Sequence, residues 1–189
     1  IKSLLHAEGT GHDWYHIDRV RRLALFIARE EGADLRITEL GALLHDIADH
    51  KFHGGDHEIG HRTARAWLEE HGADAALTKK VGDIVEYISF SAGKGPMTTV
   101  EGKCVQDADR LEALGAIGIA RCFATGGKFG RPIHDPKDPE KTSIQHFYDK
   151  LLLLKDRMNT ETGKRLATDR HTFMDAFLQE FYAEWDLKG

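Results

Sequence analysis

The chain has 189 residues, of which 41% are hydrophobic and 30% are charged, and its formal net charge is −5 at pH 7. That length supports one sizeable hydrophobic core, and the composition is ordinary for a globular protein. The negative charge argues against a nucleic-acid partner, and no apolar run reaches the roughly 18 residues that a membrane span needs.

The hydrophobic periodicity predicts an all-α chain. Residues 13–31 carry an apolar helical stripe, with Asp13 as the candidate N-cap and Gly32 at the end. A second helix is predicted over residues 38–49, beginning at Thr38. The remaining predicted helices cover residues 57–71, 75–90, 99–124 (one helix or a pair), 143–157 and 161–185.

A segment rich in glycine and proline, residues 125–142, is predicted to be a long loop. Loops of this length inside compact domains often serve as lids or binding loops. We expect the whole chain, residues 1–189, to form one domain. Within this domain, the loop would connect the part that carries the metal ligands, at about 12–125, to the C-terminal helices at 143–185.

The two cysteines, Cys104 and Cys122, each lie among apolar residues. This setting favours buried free thiols over a disulfide, which is the less favoured alternative. Free thiols are typical of a reducing compartment, so we expect a cytoplasmic protein.

The pair His45-Asp46 lies within an apolar run. Burying a carboxylate is costly unless a positive or hydrogen-bonding group meets it, and a divalent metal would satisfy both side chains at once. Further ligands would then come from other helices, and His16 and Asp109 are the candidates. Such a mixed nitrogen and oxygen site suits manganese, iron, cobalt, nickel or zinc better than calcium or magnesium. Asp107 is an alternative ligand to Asp109.

The order His … His-Asp … Asp resembles the HD-domain superfamily of metal-dependent phosphohydrolases. It is most similar to a bacterial subgroup of small HD proteins that includes nucleotide pyrophosphohydrolases. Segments with the same resemblance are GHDWYHIDRV at 11–20, QDADRL at 106–111, GAIGIAR at 115–121 and KDRMNT at 155–160.

The resemblance implies a single-domain helical bundle of the HD type. It implies the metal ligands His16, His45, Asp46 and Asp109, and it favours Asp109 over Asp107. It also implies one divalent transition metal, with manganese as the first choice and iron, cobalt, nickel and zinc as alternatives.

Asp49 follows Asp46 by three residues and resembles the acidic residue that acts as general acid or base in several HD phosphohydrolases. Alternatively, the Asp49 side chain is exposed to solvent or forms an ion pair with Lys51. Arg19 would lie beside His16 on one helix face, where it either binds a phosphate or orients a ligand. Further candidates for substrate binding are the basic side chains of Lys51, Lys94 and Arg131, which lie in predicted loops. The alternative is that these side chains are solvated charges at the surface.

His57 and His61 share a helical face and leave a second metal open. Tyr87 departs from the pattern of related HD proteins, which carry histidine there, and this favours surface or pocket-lining roles for the two histidines.

The predicted function is metal-dependent hydrolysis of a phosphate ester or anhydride. The expected partner is a small phosphorylated substrate, first of all a nucleoside triphosphate cleaved to monophosphate and pyrophosphate. A nucleotide monophosphatase and a cyclic-nucleotide phosphodiesterase stay open, as does a homodimer. The rival hypothesis is a metal- and nucleotide-binding sensor with little turnover.

Overall fold

The computed structural model describes residues 13–48, 58–88 and 96–187, and each regular element within these ranges is helical. The all-α prediction is therefore confirmed. No helix of the described residues combines the length and the apolar character needed to cross a membrane. The α-helices are α1 (Trp14–Glu31), α2 (Leu35–Leu44), α3 (Ile59–Glu70), α4 (Ala75–Ile88), α5 (Val100–Leu111), α6 (Gly115–Lys128), α7 (Ser143–His146) and α8 (Glu161–Trp185).

Helix α1 has the start and the end that the sequence predicts. The Asp13 side chain accepts a hydrogen bond from the backbone N–H of His16 at 3.0 Å. At the other end Gly32 adopts a left-handed conformation with φ 70°, which glycine reaches without the penalty that a Cβ brings. The buried face includes Ile17 and Val20, so the apolar stripe points into the core.

Helix α2 begins and ends earlier than the prediction of 38–49. It begins at Leu35 because the Asp34 side chain accepts hydrogen bonds from the backbone N–H groups of Arg36 and Ile37. Thr38, the predicted start, lies inside the helix, where its hydroxyl donates to the Asp34 carbonyl. The helix ends at Leu44, so His45 and Asp46 lie in the turn that follows it.

The described residues fall into two compact units, one within 13–108 and one at 109–187. In the first unit, α1 packs on α2, α2 packs on α4, and α3 and α4 form a helical hairpin. Small residues allow close contacts here. A Cβ on Gly41 of α2 would lie 3.1 Å from the Ile84 side chain of α4.

In the second unit α6 packs against α8, whose predicted cap Thr160 accepts a hydrogen bond from Gly163 N–H at 2.9 Å. Residues 143–157 are helical as predicted, but α7 passes into a π-helical turn at Phe147–Leu151 and a 3-10 helix at Leu152–Arg157.

The predicted loop 125–142 begins later than expected, because α6 continues to Lys128. Gly126 lies within this helix. It is a glycine at a close contact, because a Cβ at that position would meet the Ser143 hydroxyl. A short 3-10 helix at Pro139–Lys141 interrupts the rest of the segment. Glycine here therefore reflects close packing and not a helix end.

Candidate metal centre

His16, His45 and Asp46 form a cluster in which one ligand atom from each lies within 4.8 Å of the others. Asp46 Oδ2 lies 3.7 Å from His16 Nε2 and 3.6 Å from His45 Nε2. The two imidazole rings have centroids 5.5 Å apart and meet at 68°. Both nitrogens therefore point toward one carboxylate oxygen.

Two helices bring these side chains together. His16 lies in the first turn of α1, one turn after the Asp13 cap, and is completely buried. His45 ends α2 and is 6% exposed. Because α1 packs on α2, the end of α2 reaches the His16 ring. His45 keeps helical backbone angles, with φ −57° and ψ −32°, although the α-helix ends at Leu44.

The His45 ring is oriented by the backbone. Its Nδ1 lies 2.7 Å from the Ala42 carbonyl oxygen, which accepts the hydrogen bond, so Nδ1 carries the proton. In a neutral imidazole Nε2 then holds the lone pair, and Nε2 is the atom that faces Asp46. A backbone partner that fixes the ring and the tautomer in this way is typical of metal-ligating histidines.

The donor set fits a divalent transition metal. Ligand atoms that each lie about 2.1 Å from one ion at a tetrahedral angle are roughly 3.4 Å apart. The observed nitrogen–oxygen separations of 3.6 and 3.7 Å exceed hydrogen-bond length and lie near that value. The Asp46 side chain is 31% exposed, so the carboxylate is accessible to solvent.

Asp109, the predicted fourth ligand, lies on α5 and is half-buried. It is the first residue of the second unit, and its role as a ligand stays a prediction. The alternative, Asp107, is completely buried on the same helix. Among the described residues, the candidate cluster around His16 includes neither Asp109 nor Asp107.

The other predicted site residues are only partly described. Arg19 lies half-buried on α1, one turn after His16. Asp49, Lys51 and Lys94 lie outside the described residues. Asp46 lies in the turn after α2, and the role of Asp49 stays a prediction.

Arg131 lies in the second unit, in the segment after α6. It lines a cavity of about 260 Å³ together with Glu140, Lys141, Thr142, His146 and Asp149. Burial lowers the pKa of His146, and the nearby cations Lys150 and Arg131 lower it further. The phosphate-binding role of Arg131 stays a prediction.

A second cluster, Glu58, His61 and Glu86, was only partly predicted. One ligand atom from each lies within 4.8 Å of the others. The spacing of His57 and His61 indicated this end of α3, but His57 lies outside the described residues. Nothing in the sequence pattern singled out the two glutamates, although Glu58 and His61 are one turn apart.

The described part of this protein is all-α, and its His16–His45–Asp46 cluster is a candidate divalent-metal centre. The sequence profile of the HD domain family matches residues 13–114. The chain belongs to this family, whose domains bind divalent metals, and the predicted resemblance to the HD superfamily is confirmed.

Relatives of known sequence and structure agree with this assignment. YpgQ from Bacillus subtilis (strain 168) is 39% identical over 200 residues, covering 100% of this chain and 91% of YpgQ. An HD-superfamily hydrolase from Bacillus thuringiensis has a TM-score of 0.78 at 46% identity, covering 93% of this chain and 87% of that protein. The crystal structure of B. subtilis YpgQ in complex with ADP has a TM-score of 0.80 at 35% identity, covering 97% of this chain and 94% of YpgQ.

Proposed function

We propose that this protein is a metal-dependent phosphohydrolase that acts on a nucleotide. The observation that carries the proposal is the meeting of His16, His45 and Asp46 within the region that matches the HD family. The ADP complex of B. subtilis YpgQ supports a nucleotide as the substrate, because that protein shares this chain's fold over nearly its full length.

His16, His45 and Asp46 would hold the metal, with Asp109 as the proposed fourth ligand. Two imidazole nitrogens and carboxylate oxygens favour a transition metal over calcium or magnesium, and manganese is our first choice. When bound, such a metal acts as a Lewis acid toward a phosphoryl oxygen and makes water nucleophilic at neutral pH.

The protein's own residues supply orientation, access and proton transfer. The Ala42 carbonyl holds the His45 ring in the ligating tautomer, and the partly exposed Asp46 leaves the site accessible. We assign to Asp49 the transfer of a proton from the attacking water or to the leaving oxygen. The proposed phosphate-binding cations are Arg19, Lys51, Lys94 and Arg131, which would offset the charge that develops on the phosphate oxygens.

Within this class we propose cleavage of a nucleoside triphosphate to a monophosphate and pyrophosphate. The products separate this reaction from its alternatives. A monophosphatase releases inorganic phosphate and a nucleoside, and a cyclic-nucleotide phosphodiesterase releases only a linear nucleotide.

The test uses the full chain after removal of metal with a chelator and reloading with manganese, cobalt, nickel, zinc or magnesium. Nucleoside mono-, di- and triphosphates and cyclic nucleotides are supplied, and the products are resolved by chromatography. We expect turnover that depends on a transition metal and releases pyrophosphate from a triphosphate. Asp49→Asn should retain the metal and lose most of the turnover.

If the protein is instead a metal- and nucleotide-binding sensor, we expect nucleotide binding with little turnover. The ADP complex of the relative is compatible with it, because a bound nucleotide need not be turned over. Nucleotide binding by the metal-loaded protein without turnover on any of these substrates would favour the sensor and contradict hydrolysis. Unchanged turnover in Asp49→Asn would contradict only the role of Asp49.

A further inference from the structure

The cavity of the second unit is lined by side chains from the segment after α6, from the start and end of α7, and from the π-helical turn that follows α7. Its volume is about 260 Å³. The lining is mostly charged and consists of Arg131, Glu140, Lys141, Thr142, His146 and Asp149.

Backbone hydrogen bonds hold the walls of this cavity in place. The Arg131 N–H donates to the Gly126 carbonyl oxygen at 2.8 Å, which ties the segment to the end of α6. The Ser143 N–H donates to the Pro132 carbonyl oxygen at 2.8 Å, which ties the same segment to the start of α7. The cavity is therefore preformed in the folded second unit.

The Arg131 side chain is the observation that points to a ligand. It is half-buried, and its guanidinium makes no hydrogen bond or ion pair with any residue that the structure describes. A guanidinium has five N–H donors, and a cation withdrawn from water is costly without a partner. The half-buried His146 ring likewise has no hydrogen-bond partner among the described residues. Two unpaired groups that can donate hydrogen bonds therefore line one cavity.

The other polar groups of the lining have different surroundings. Asp149 Oδ1 accepts a hydrogen bond from the Gln145 side-chain nitrogen at 2.8 Å, and Glu140 is exposed to solvent. The Thr142 hydroxyl is used within its own turn, where it donates to the Pro139 carbonyl at 2.9 Å and accepts from the Gln145 N–H at 3.1 Å. These three side chains therefore leave the guanidinium and the imidazole to a ligand.

The charges around the His146 ring favour an anion. Burial lowers the pKa of His146, and the charges of Lys150 and Arg131 lower it further by more than the Asp149 carboxylate raises it. The imidazole is therefore neutral at pH 7, and a neutral imidazole still has one N–H to donate. Because the cations outweigh the carboxylate at this point, the cavity attracts a negatively charged group.

The size of the cavity limits the ligand. Pockets for drug-sized molecules have volumes of roughly 300–1,000 Å³, and the share of one water molecule in the liquid is about 30 Å³. At about 260 Å³ the cavity lies below the range for drug-sized molecules. It therefore suits an anion of a few heavy atoms better than a whole nucleotide.

We propose that this cavity binds a small phosphate anion, either inorganic phosphate or pyrophosphate. The Arg131 guanidinium would donate two parallel hydrogen bonds to phosphate oxygens, a geometry for which arginine is suited. The His146 imidazole would donate a third. The Lys141 ammonium would add positive charge, since it is held only by an ion pair of 3.8 Å with Asp138.

All the residues of this site belong to the second unit, and the site gives a location to the phosphate-binding role proposed for Arg131. Binding there needs neither a metal nor turnover, so it does not rest on the proposed hydrolysis. A bound anion would connect the segment after α6 to α7, and it would stabilise the protein because it binds only the folded state.

The test measures phosphate binding by the full chain without metal. The protein is stripped with a chelator, the chelator is removed by gel filtration, and phosphate, pyrophosphate and acetate are titrated separately in a calorimeter at neutral pH. Removal of the metal excludes binding through an ion at the His16–His45–Asp46 cluster. We expect saturable binding of one phosphate or pyrophosphate per chain and weaker binding of acetate.

Substitution of Arg131 locates the bound anion. Arg131→Gln should weaken binding by at least about 10-fold, because it removes charge-assisted hydrogen bonds. Arg131→Lys keeps the charge and should recover part of that loss. Arg165→Gln is the matched control, because Arg165 on α8 is exposed, lies outside the lining and carries the same charge. The affinity of this control should equal that of the unsubstituted protein.

Circular dichroism reports whether each variant is folded. If Arg131→Gln unfolds, Lys141→Gln decides the matter, because the Lys141 side chain is 83% exposed and tolerates substitution. Loss of this exposed charge should weaken binding by roughly 2–5-fold.

Three results would contradict the proposal. The unsubstituted protein shows no saturable binding of phosphate or pyrophosphate, or the folded cavity variant binds them as tightly as Arg165→Gln does. Acetate bound as tightly as phosphate would contradict the assignment to phosphate. None of these results decides the test of hydrolysis, which is read from the turnover of the metal-loaded protein.

Discussion

The two units of the molecule have differently built cores. In the described part of the first unit the buried apolar side chains include no aromatic ring, and small ones such as Ala24, Ala42 and Ala64 are completely buried. The second unit adds an aromatic cluster to its buried aliphatic side chains, in which the completely buried Phe147 ring lies 5.9 Å from the half-buried rings of Phe123 and Phe177. Small side chains allow helices to pack closely. Polar side chains on α1 and at the end of α2 therefore reach one point, while the second unit gains stability from the ring cluster around Phe147.

Because of this difference, we expect substitutions in the two units to have different consequences. A lost ligand in the first unit should remove function and leave the fold, whereas a lost ring in the second unit should lower stability and leave the metal in place. The predictions that follow test this separation, and they begin with the largest expected effect.

His45→Ala should remove the metal of the first cluster and reduce any hydrolysis by more than the roughly 100-fold that loss of a ligand's supporting partner costs. The reason is that His45 Nε2 is one of the two nitrogens facing Asp46. Metal content and turnover are measured on the same sample, with thermal unfolding as the check on folding. A folded variant with undiminished metal content and activity would break the assignment of this cluster.

Phe147→Ala should lower the free energy of unfolding by about 3–5 kcal/mol, because the ring is completely buried and the cavity it leaves is only partly filled. Urea unfolding measures this loss, and the metal content of the folded protein should not change. The matched control is Phe173→Ala on α8, since that ring is 53% exposed and its loss should cost no more than about 0.5 kcal/mol. If the two variants lost the same free energy of unfolding, the stabilising role of the ring cluster around Phe147 would be contradicted.

The fold follows from the sequence wherever a local signal coincides with the periodicity. The caps Asp13, Gly32 and Thr160 predicted the limits of α1 and the start of α8. The start of α2 was wrong because Thr38 is also a good capping residue, and only the packed structure shows that Asp34 takes that role. Glycine at 126 suggested a loop but serves close packing inside α6.

The candidate site was predictable in its ligand types and less so in its geometry. The sequence pair His45-Asp46 and the upstream His16 predicted the cluster, because buried imidazole and carboxylate groups need partners. Its position in a turn was not predictable, since an apolar run carries no signal for the helix end. The contribution of Glu86 to the second cluster was missed, because periodicity does not show which residues of α4 face α3.

Gly118→Ala should lower the free energy of unfolding by about 1–3 kcal/mol. A Cβ at this position of α6 would overlap the Ala113 backbone, which cannot move aside as a flexible side chain does. Gly127→Ala, on the same helix, is the opposite case, because its Cβ would meet no atom within 4 Å. It should raise stability by about 0.4–1 kcal/mol through lower entropy of the unfolded chain. Urea unfolding of both variants checks the difference in sign.

The two cysteines compare the units directly, since Cys104 lies in the first and Cys122 in the second. Both are free and buried, as the sequence predicts. Burial first, and then the neighbouring Glu31 carboxylate, together raise the pKa of Cys104 from 9.0 to about 12. Burial raises the pKa of Cys122 to about 11, against the opposing charge of Arg131.

Both thiols should therefore be protonated at pH 8, and alkylation of the native protein should be slow. Because the thiolate is the reactive form, labelling of both thiols should be at least about 100-fold slower than in the unfolded chain. Both native pKa values exceed the unfolded one, so the protonated thiols contribute stability below pH 9 that is lost as the pH rises toward 11 and 12. Peptide mapping after iodoacetamide treatment measures each site, with urea-unfolded protein as the reference. Native labelling of Cys104 ahead of Cys122 would show that the first unit opens more readily than the second, because burial alone gives the reverse order.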